Sequence, residues 1–405
     1  MKIKIPILVG IILTVVLCFG IVSCSKASQN NEEVLHTTKV TEKKANSTPK
    51  EPQKELIKRG YDELGFEYTL LDSGDGYEVS QGKAVLDGVI TIPEYFNDLP
   101  VKRIARFGFS IELKNTSITK DWETGVMCNG VTTGINLPAQ LESIGEEAFS
   151  YCIKLEEIVI PDSVTKIEEA AFKVCVSLKR IVFPKGLKEI PQSCCSFTSL
   201  REIVFPENLE IIGRRAFSDT ILSKNDPENL LSIVLPDTIK HIKDAAFHNM
   251  YNLENIIIST KNLESFEMNV FKNTLWYENQ PDGLVFLEDL LYVYKGIMPQ
   301  DFVIEIPSSV KKIAGGAFGL QDNLIEVFIP DGVKLIGSDV FSYCSNLTKV
   351  RLPQDIETIP ENCFLYCEKL SDVSLPDSVS RIGERAFFKT CVEYLYSSDS
   401  NKSSM

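Results

Sequence analysis

The sequence predicts a repeat solenoid, β-rich α/β in class: short parallel strands stacked into one face, with tight helical or 3₁₀ turns opposite. Three observations carry this. A unit of about 23 residues, clearest in Pro138–Pro161 (PAQLESIGEEAFSYCIKLEEIVIP), recurs from about residue 93 to the C-terminus, and self-similarity at such a period marks stacked repeats. Proline opens the units at Pro93, Pro138, Pro161, Pro184, Pro206, Pro236, Pro307, Pro330, Pro353 and Pro376. A phenylalanine column from Phe109 to Phe387 is broken once, by Cys195, a regularity that 22 Phe in 405 residues would not produce by chance.

The spacing within a unit assigns its parts. In Leu155-x-x-Ile158-x-Ile160-Pro161 the apolar residues alternate, which is a short half-buried strand that the proline ends. Ile144, Ala148, Phe149 and Cys152 follow at intervals of three and four, which predicts a helical or 3₁₀ turn. One unit cannot bury its own apolar face, so neighbours must stack.

The pairing of L-x-x-I-x-I-P with L-x-x-I-x-x-x-A-F-x-x-C resembles the BspA-type (Treponema pallidum type) leucine-rich repeat, found in bacterial surface proteins and some protist ones, over roughly residues 61–396. The resemblance implies the solenoid fold and, for function, adhesion, since some members bind host matrix proteins, host cells or other bacteria. Their ligands differ, so fold transfers better than function.

Taken in order, residues 1–23 place Lys2 and Lys4 before an apolar run, Ile5 to Val22, as in an export signal. Ile21-Val22-Ser23-Cys24 resembles a bacterial lipobox, which implies cleavage before Cys24 and lipidation of that cysteine. The other reading is an uncleaved membrane anchor, for which eighteen apolar residues are just long enough. Residues 24–60 lack aromatic residues and are rich in polar ones, so they read as a disordered tether. Residues 61–92 form an N-terminal β cap, in which Phe66–Leu70 and Gly76–Ser80 flank the turn-rich Asp72–Asp75 as a hairpin. That acidic turn lacks the alternating oxygen ligands of a calcium loop.

The solenoid then spans 93–396, with insertions near 110–134, 219–230 and 273–298, and a polar tail follows at 397–405. The third insertion carries Trp276 and Tyr277 and two apolar runs around Glu288-Asp289, which predict a β-hairpin containing Tyr292. Trp276, Tyr277 and Tyr292 are candidate contact residues, because insertions in solenoids often map to the binding face; the plainer reading is that they cover a core. Cys152, Cys175, Cys344 and Cys367 share one column, expected as core filler, although an exported protein permits disulfides between adjacent units.

No catalytic constellation is apparent: the three histidines are His36, His241 and His248, and there is no G-x-S-x-G, H-E-x-x-H or P-loop. No enzyme, cofactor or metal is expected. The formal charge of −14, or −16 once Lys2 and Lys4 leave, disfavours nucleic acid and anionic bilayers as partners. Stable attachment would rest on the lipid.

The sheet face is more informative. If Ile158 and Ile160 point inward, Val159 points out, and its column reads Val159, Val182, Val204, Val234 and Ile257, with Phe328 farther on. Such an apolar stripe beside the mixed column Glu157, Arg180, Glu202 marks an interaction surface, although β-branched residues also stabilise strands wherever they stand. The expectation is an exported, lipid-anchored surface protein that binds a protein partner of host or bacterial origin. The alternative is a structural or self-associating envelope protein, with Tyr394 and Tyr396 near its terminal edge.

Overall fold

The computed structural model describes residues 56–110, 131–220 and 231–396. The leader 1–23, Cys24, most of the tether, the middle of the first insertion with Trp122 and Cys128, residues 221–230 and the tail 397–405 lie outside the described residues.

Each coil of the solenoid contributes to three walls. The first is the predicted parallel sheet. Asp87–Thr91, Val131–Asn136, Glu157–Val159, Arg180–Val182 and Glu202–Val204 run side by side, Ile158 facing Ile181 and Ile181 facing Ile203. Leu231–Val234 pairs with Leu253–Ile257, and Phe302–Glu305, Leu324–Phe328, Lys349–Arg351 and Asp372–Val373 form a further sheet. Period-two alternation buries Ile158 and Ile181 and turns their neighbours outward.

The second wall, absent from the sequence-based expectation, is a parallel ladder of mostly two-residue strands around the Leu-x-x-Ile step, such as Ser143–Ile144 beside Lys166–Ile167. It stops between Lys166–Ile167 and Glu189–Ile190, at the third insertion between Ser265–Phe266 and Leu290–Lys295, and again between Leu335–Ile336 and Thr358–Ile359. The insertion accounts for the middle break, and the residue after the isoleucine explains the other two. Glu168 N–H donates to Ile144 O (2.9 Å) and Gly213 N–H to Ile190 O (2.8 Å). At the two breaks that residue is Pro191 or Pro360, which has no N–H to give. The coil that follows comes close: a Cβ on Gly213 would lie 2.6 Å from the Pro191 carbonyl carbon.

The third wall is made of turns, as expected, but without helices. Ala148 N–H bonds Gly145 O (3.2 Å) and Ser150 N–H bonds Glu147 O (3.1 Å), which is 3₁₀-type bonding at alternate residues only. The residues between them donate to the next coil: Glu147 N–H to Glu169 O (2.9 Å), Phe149 N–H to Ala171 O (2.8 Å) and Tyr151 N–H to Lys173 O (2.9 Å). Left-handed Glu147 (φ 50°) and Tyr151 (φ 61°) redirect the chain so that this alternation is possible. Among the described residues only Leu275–Glu278 and Glu393–Tyr396 are helical, four residues each.

The phenylalanine column is the centre of the core. Phe109, Phe149, Phe172, Phe217, Phe247, Phe271, Phe318, Phe341, Phe364 and Phe387 are all buried, and their rings stack with centroids 5.2 to 5.5 Å apart in three runs, Phe109 to Phe172, Phe217 to Phe271 and Phe318 to Phe387. Where Cys195 interrupts the column, a compensating change appears at the strand end. The position held by Ile160, Leu235 and Ile258 in other coils is Phe183 and Phe205 here, and both rings meet Phe217 edge-on at 6.2 and 5.7 Å. Volume removed at one site is restored at its neighbour.

The column cysteines are core residues. Cys344 Sγ–H donates to Phe318 O (3.1 Å) and Cys367 Sγ–H to Phe341 O (3.0 Å), each reaching the phenylalanine carbonyl of the preceding coil. Cys194, Cys195, Cys344, Cys363 and Cys367 are free thiols, and burial pushes Cys344 up to about 12.

At the N-terminus, Glu67–Leu70 and Tyr77–Ser80 form the expected hairpin, with Tyr68 and Tyr77 fully buried and Tyr68 stacked on Phe96 at 4.2 Å. The cap differs at both ends from its assignment to 61–92. Arg59–Tyr61 adds an antiparallel strand ahead of it, inside the segment assigned to the tether, and Asp87–Thr91 is already the first strand of the repeat sheet.

The third insertion contains the expected hairpin, Gly283–Leu287 against Leu290–Lys295. Its second strand is buried on both faces: Leu290 and Tyr292, with Val285 and Leu287 of the first strand, enter the N-terminal core, and Leu291 enters the C-terminal one.

Two outcomes follow from this packing. Phe341→Ala should cost about 3–5 kcal/mol, read as a lowered midpoint in urea; a loss under 1 kcal/mol would mean that the ring column is not the main support. A thiol reagent at pH 8 should modify exposed Cys391 in the folded chain and spare Cys344, Cys363 and Cys367 until denaturant is added, as peptide mass mapping would show.

Candidate interaction face

The outer surface of the first wall carries the predicted stripe. Val159, Val182 and Val204 stand in register on adjacent strands, and Val234 stands beside Ile257. Val159 is 55% exposed, Val234 61% and Ile257 63%; Val204 is exposed to a lesser degree and Val182 is half-buried. The stripe is not one continuous run, because Val204 and Val234 belong to separate sheets. Phe328 lies in a third sheet, in register with Glu305 on one side and Arg351 on the other, and Lys349 Nζ sits 5.9 Å from its ring centroid. It is a polar-flanked aromatic residue rather than the end of an aliphatic run.

The neighbouring column is mixed, with Asn255 Nδ2–H donating to Ser232 Oγ (3.1 Å) beside Val234 and Ile257, and ion pairs across strands elsewhere. Arg180 Nε lies 3.1 Å from a Glu202 carboxylate oxygen, and Lys349 Nζ lies 3.6 Å from Asp372. The first wall thus presents aliphatic side chains bordered by hydrogen-bonded and ion-paired ones.

The second wall differs in kind. Its outward column alternates in sign, so that Glu210 is held between Lys240 (2.7 Å) and Lys188 (3.1 Å), and Lys102 bonds Glu142 (2.9 Å). Hydrogen bonds from Lys240 and then Lys188 hold the Glu210 carboxyl below the usual carboxylate range. Charges already matched within the wall leave little for a partner to satisfy.

The insertion corrects the site assignment. Tyr292 is 4% exposed, its hydroxyl oxygen accepts the Phe271 N–H at 2.9 Å, and burial pushes its phenol up. It is a core residue, and Trp276 packs on it and on Phe271 at 5.7 and 5.6 Å. Tyr277 is also half-buried, 6.4 Å from Tyr292, with Lys295 Nζ 5.3 Å from its ring centroid. Aromatic bulk here fills the joint between two cores. The exposed apolar side chains of the insertion are instead Phe286 and Ile297, which the sequence reading passed over. Phe286 had a signal, since it is the outward residue between inward Val285 and Leu287; Ile297, on an irregular turn, had none.

At the terminal edge, Tyr396 packs on Phe387 at 4.7 Å and its hydroxyl donates to Val373 O (3.3 Å), closing the last coil, while Tyr394 is exposed.

Comparison with known proteins adds the following. Residues 127–226, 224–279 and 301–404 match the BspA type leucine rich repeat region, in six copies. No functionally curated protein matches the sequence. Among solved structures, a leucine rich cell surface protein from Faecalibacterium prausnitzii A2-165 is 21% identical, with 82% of this chain and 86% of that chain covered and a TM-score of 0.40. The pneumococcal vaccine antigen PcpA is 22% identical, with 81% and 78% covered and a TM-score of 0.41. A leucine-rich repeat protein from Bacteroides ovatus is 21% identical, with 81% and 91% covered and a TM-score of 0.36.

Proposed function

The chain belongs to the BspA-type leucine-rich repeat family, and from that premise we propose that it is an exported, lipid-anchored surface protein whose first wall docks a protein partner, in adhesion to a host or bacterial surface. The carrying observation is the contrast between walls. Val159, Val182, Val204, Val234 and Ile257 stand on the outer face of strands whose opposite residues form the core, whereas the second wall spends its charges on itself. Stacked repeats present long, flat surfaces suited to macromolecular partners. Aliphatic groups on a rigid sheet lose little side-chain freedom when covered, and burying them contributes about 25 cal/mol per Å².

Among the described residues no group of three or more His, Cys, Asp or Glu side chains could hold a metal ion. His241 Nδ1 is 2.9 Å from Ser265 Oγ, a contact between neighbouring coils of the second wall. A binding role therefore accounts for more of the surface than a catalytic one.

Attachment would come through Cys24 after export, with the polar segment to about residue 58 as spacer. The acidic balance of the chain supports a lipid rather than electrostatic hold on the membrane.

Charged substitution of Val182, Val204 and Val234 to Glu should abolish retention on the host matrix protein or bacterial surface extract that captures the native chain, with Tm unchanged. Equal retention by the variant would move the site off this wall. Cys24→Ser should stop incorporation of labelled palmitate and release the protein to the soluble fraction; a variant that stays membrane-bound would favour the uncleaved anchor.

A further inference from the structure

The turn wall carries a second exposed surface that neither the family nor the sheet stripe accounts for. Two residues after each column phenylalanine the backbone is left-handed in coil after coil: Asp219 (φ 63°), Asn249 (φ 57°) and Asn273 (φ 61°) in the middle, Leu320 (φ 65°), Tyr343 (φ 60°) and Tyr366 (φ 57°) towards the C-terminus. Asp and Asn are the side-chain-bearing residues that enter this conformation most readily, and leucine and tyrosine are not. In the middle coils the polar residues also bond to one another, Asn249 Nδ2–H to Asp219 Oδ1 (2.7 Å) and Asn273 Nδ2–H to Asn249 Oδ1 (2.8 Å). The fold therefore accepts asparagine here, and large apolar side chains are held in an unfavourable backbone conformation at the C-terminal end. The N-terminal coils do the same at Val174 and Phe197.

Retained strain of this kind points to a use for the side chains. Leu320 is 75% exposed and Tyr343 46%. The Tyr343 and Tyr366 rings stack at 5.0 Å, 11° from parallel, and Phe388 meets Tyr366 edge-on at 5.8 Å. The row ends in two cations. The Arg385 guanidinium lies 5.1 Å and the Lys389 ammonium 5.8 Å from the Phe388 ring centroid. Among the described residues neither has an ion-pair partner, whereas Arg351 and Lys349 on the first wall do. The Glu393 carboxylate reaches this end of the row, accepting the Lys389 backbone N–H at 3.0 Å, and Arg385 also acts at longer range on the half-buried Asp339 carboxyl.

We propose that Leu320, Tyr343, Tyr366 and Phe388, with Arg385 and Lys389, form a second docking surface that takes an acidic segment of a protein partner. Carboxylates of the segment pair with the two cations over the Phe388 ring, and its apolar side chains lie along the tyrosine row. This surface is on the turn wall and does not depend on the reading of the sheet stripe.

The test uses the full chain against immobilised 12-residue peptides in which Asp or Glu alternates with Leu or Phe, with Lys-for-acid versions as controls. The native chain should be retained by the acidic set and not by the controls, and less so as salt rises. Tyr343→Asn with Tyr366→Asn should weaken that binding about tenfold while Tm stays the same or rises, because asparagine suits the left-handed backbone. Arg385→Ala with Lys389→Ala should remove the preference for acidic over lysine peptides. The Val182, Val204 and Val234 glutamate variant should bind these peptides as the native chain does. The proposal is overturned if the native chain does not distinguish acidic from lysine peptides. It is equally overturned if the asparagine pair binds unchanged or loses Tm along with binding, or if the sheet variant loses these peptides too.

Discussion

Coil-to-coil register is the constraint on which everything else in this protein depends. In most coils three backbone N–H groups of the turn and the short strands of two walls bond to the next coil at a constant offset, so a residue at one position meets its own counterpart above and below. Chemistry is thereby sorted into columns. A phenyl ring has a phenyl ring to stack on, a thiol reaches the same carbonyl each time, and a lysine meets a glutamate one coil away. An exception in one column has to be met locally, as Cys195 is by Phe183 and Phe205.

The same sorting separates what the surface can do. On the second wall, alternating charges such as Lys188, Glu210 and Lys240 satisfy one another within the coil stack. On the first wall, the outward column is aliphatic over Val159, Val182 and Val204, and no neighbouring coil can cover it. On the turn ridge, side-chain identity and backbone preference conflict at Leu320, Tyr343 and Tyr366. A surface in conflict with its backbone, or bare of matched charge, is where a partner has something to contribute; the laced wall is scaffolding.

The parts of the fold legible in the sequence were those written in side chains with a period. The phenylalanine column, the strand that each proline ends, the hairpin at Glu288-Asp289 and the outward phase of Val159 all have a repeating chemical mark. The second wall was missed because a two-residue strand has no alternation to detect. The left-handed positions were missed because residues such as Glu147, Tyr151, Val174 and Leu320 do not advertise that conformation, and Asp219, Asn249 and Asn273, which do, hold only some of the coils. Tyr292 stood as a candidate contact residue because aromatic residues in an insertion look like a binding loop, and the plainer reading, core cover, is what the structure has; in a strand covered on both sides, alternation assigns each face to a core and neither to solvent. The two second-wall breaks outside the insertion were readable in principle, since Pro191 and Pro360 each follow the Ile of a Leu- or Ile-x-x-Ile step, but only once that step is known to be a strand.

The hairpin between Gly283 and Lys295 has a thermodynamic consequence. By presenting Tyr292 to one side and Leu291 to the other, it divides the apolar interior into two clusters, bridged besides by Ala314 and the Gly315 N–H bond to Phe266 O (2.8 Å). In a linear array cooperativity is carried from neighbour to neighbour, so a partition of this kind is where it weakens. The portion from Met298 onward is therefore placed to unfold as a block of its own, under heat or tension, ahead of the longer N-terminal portion.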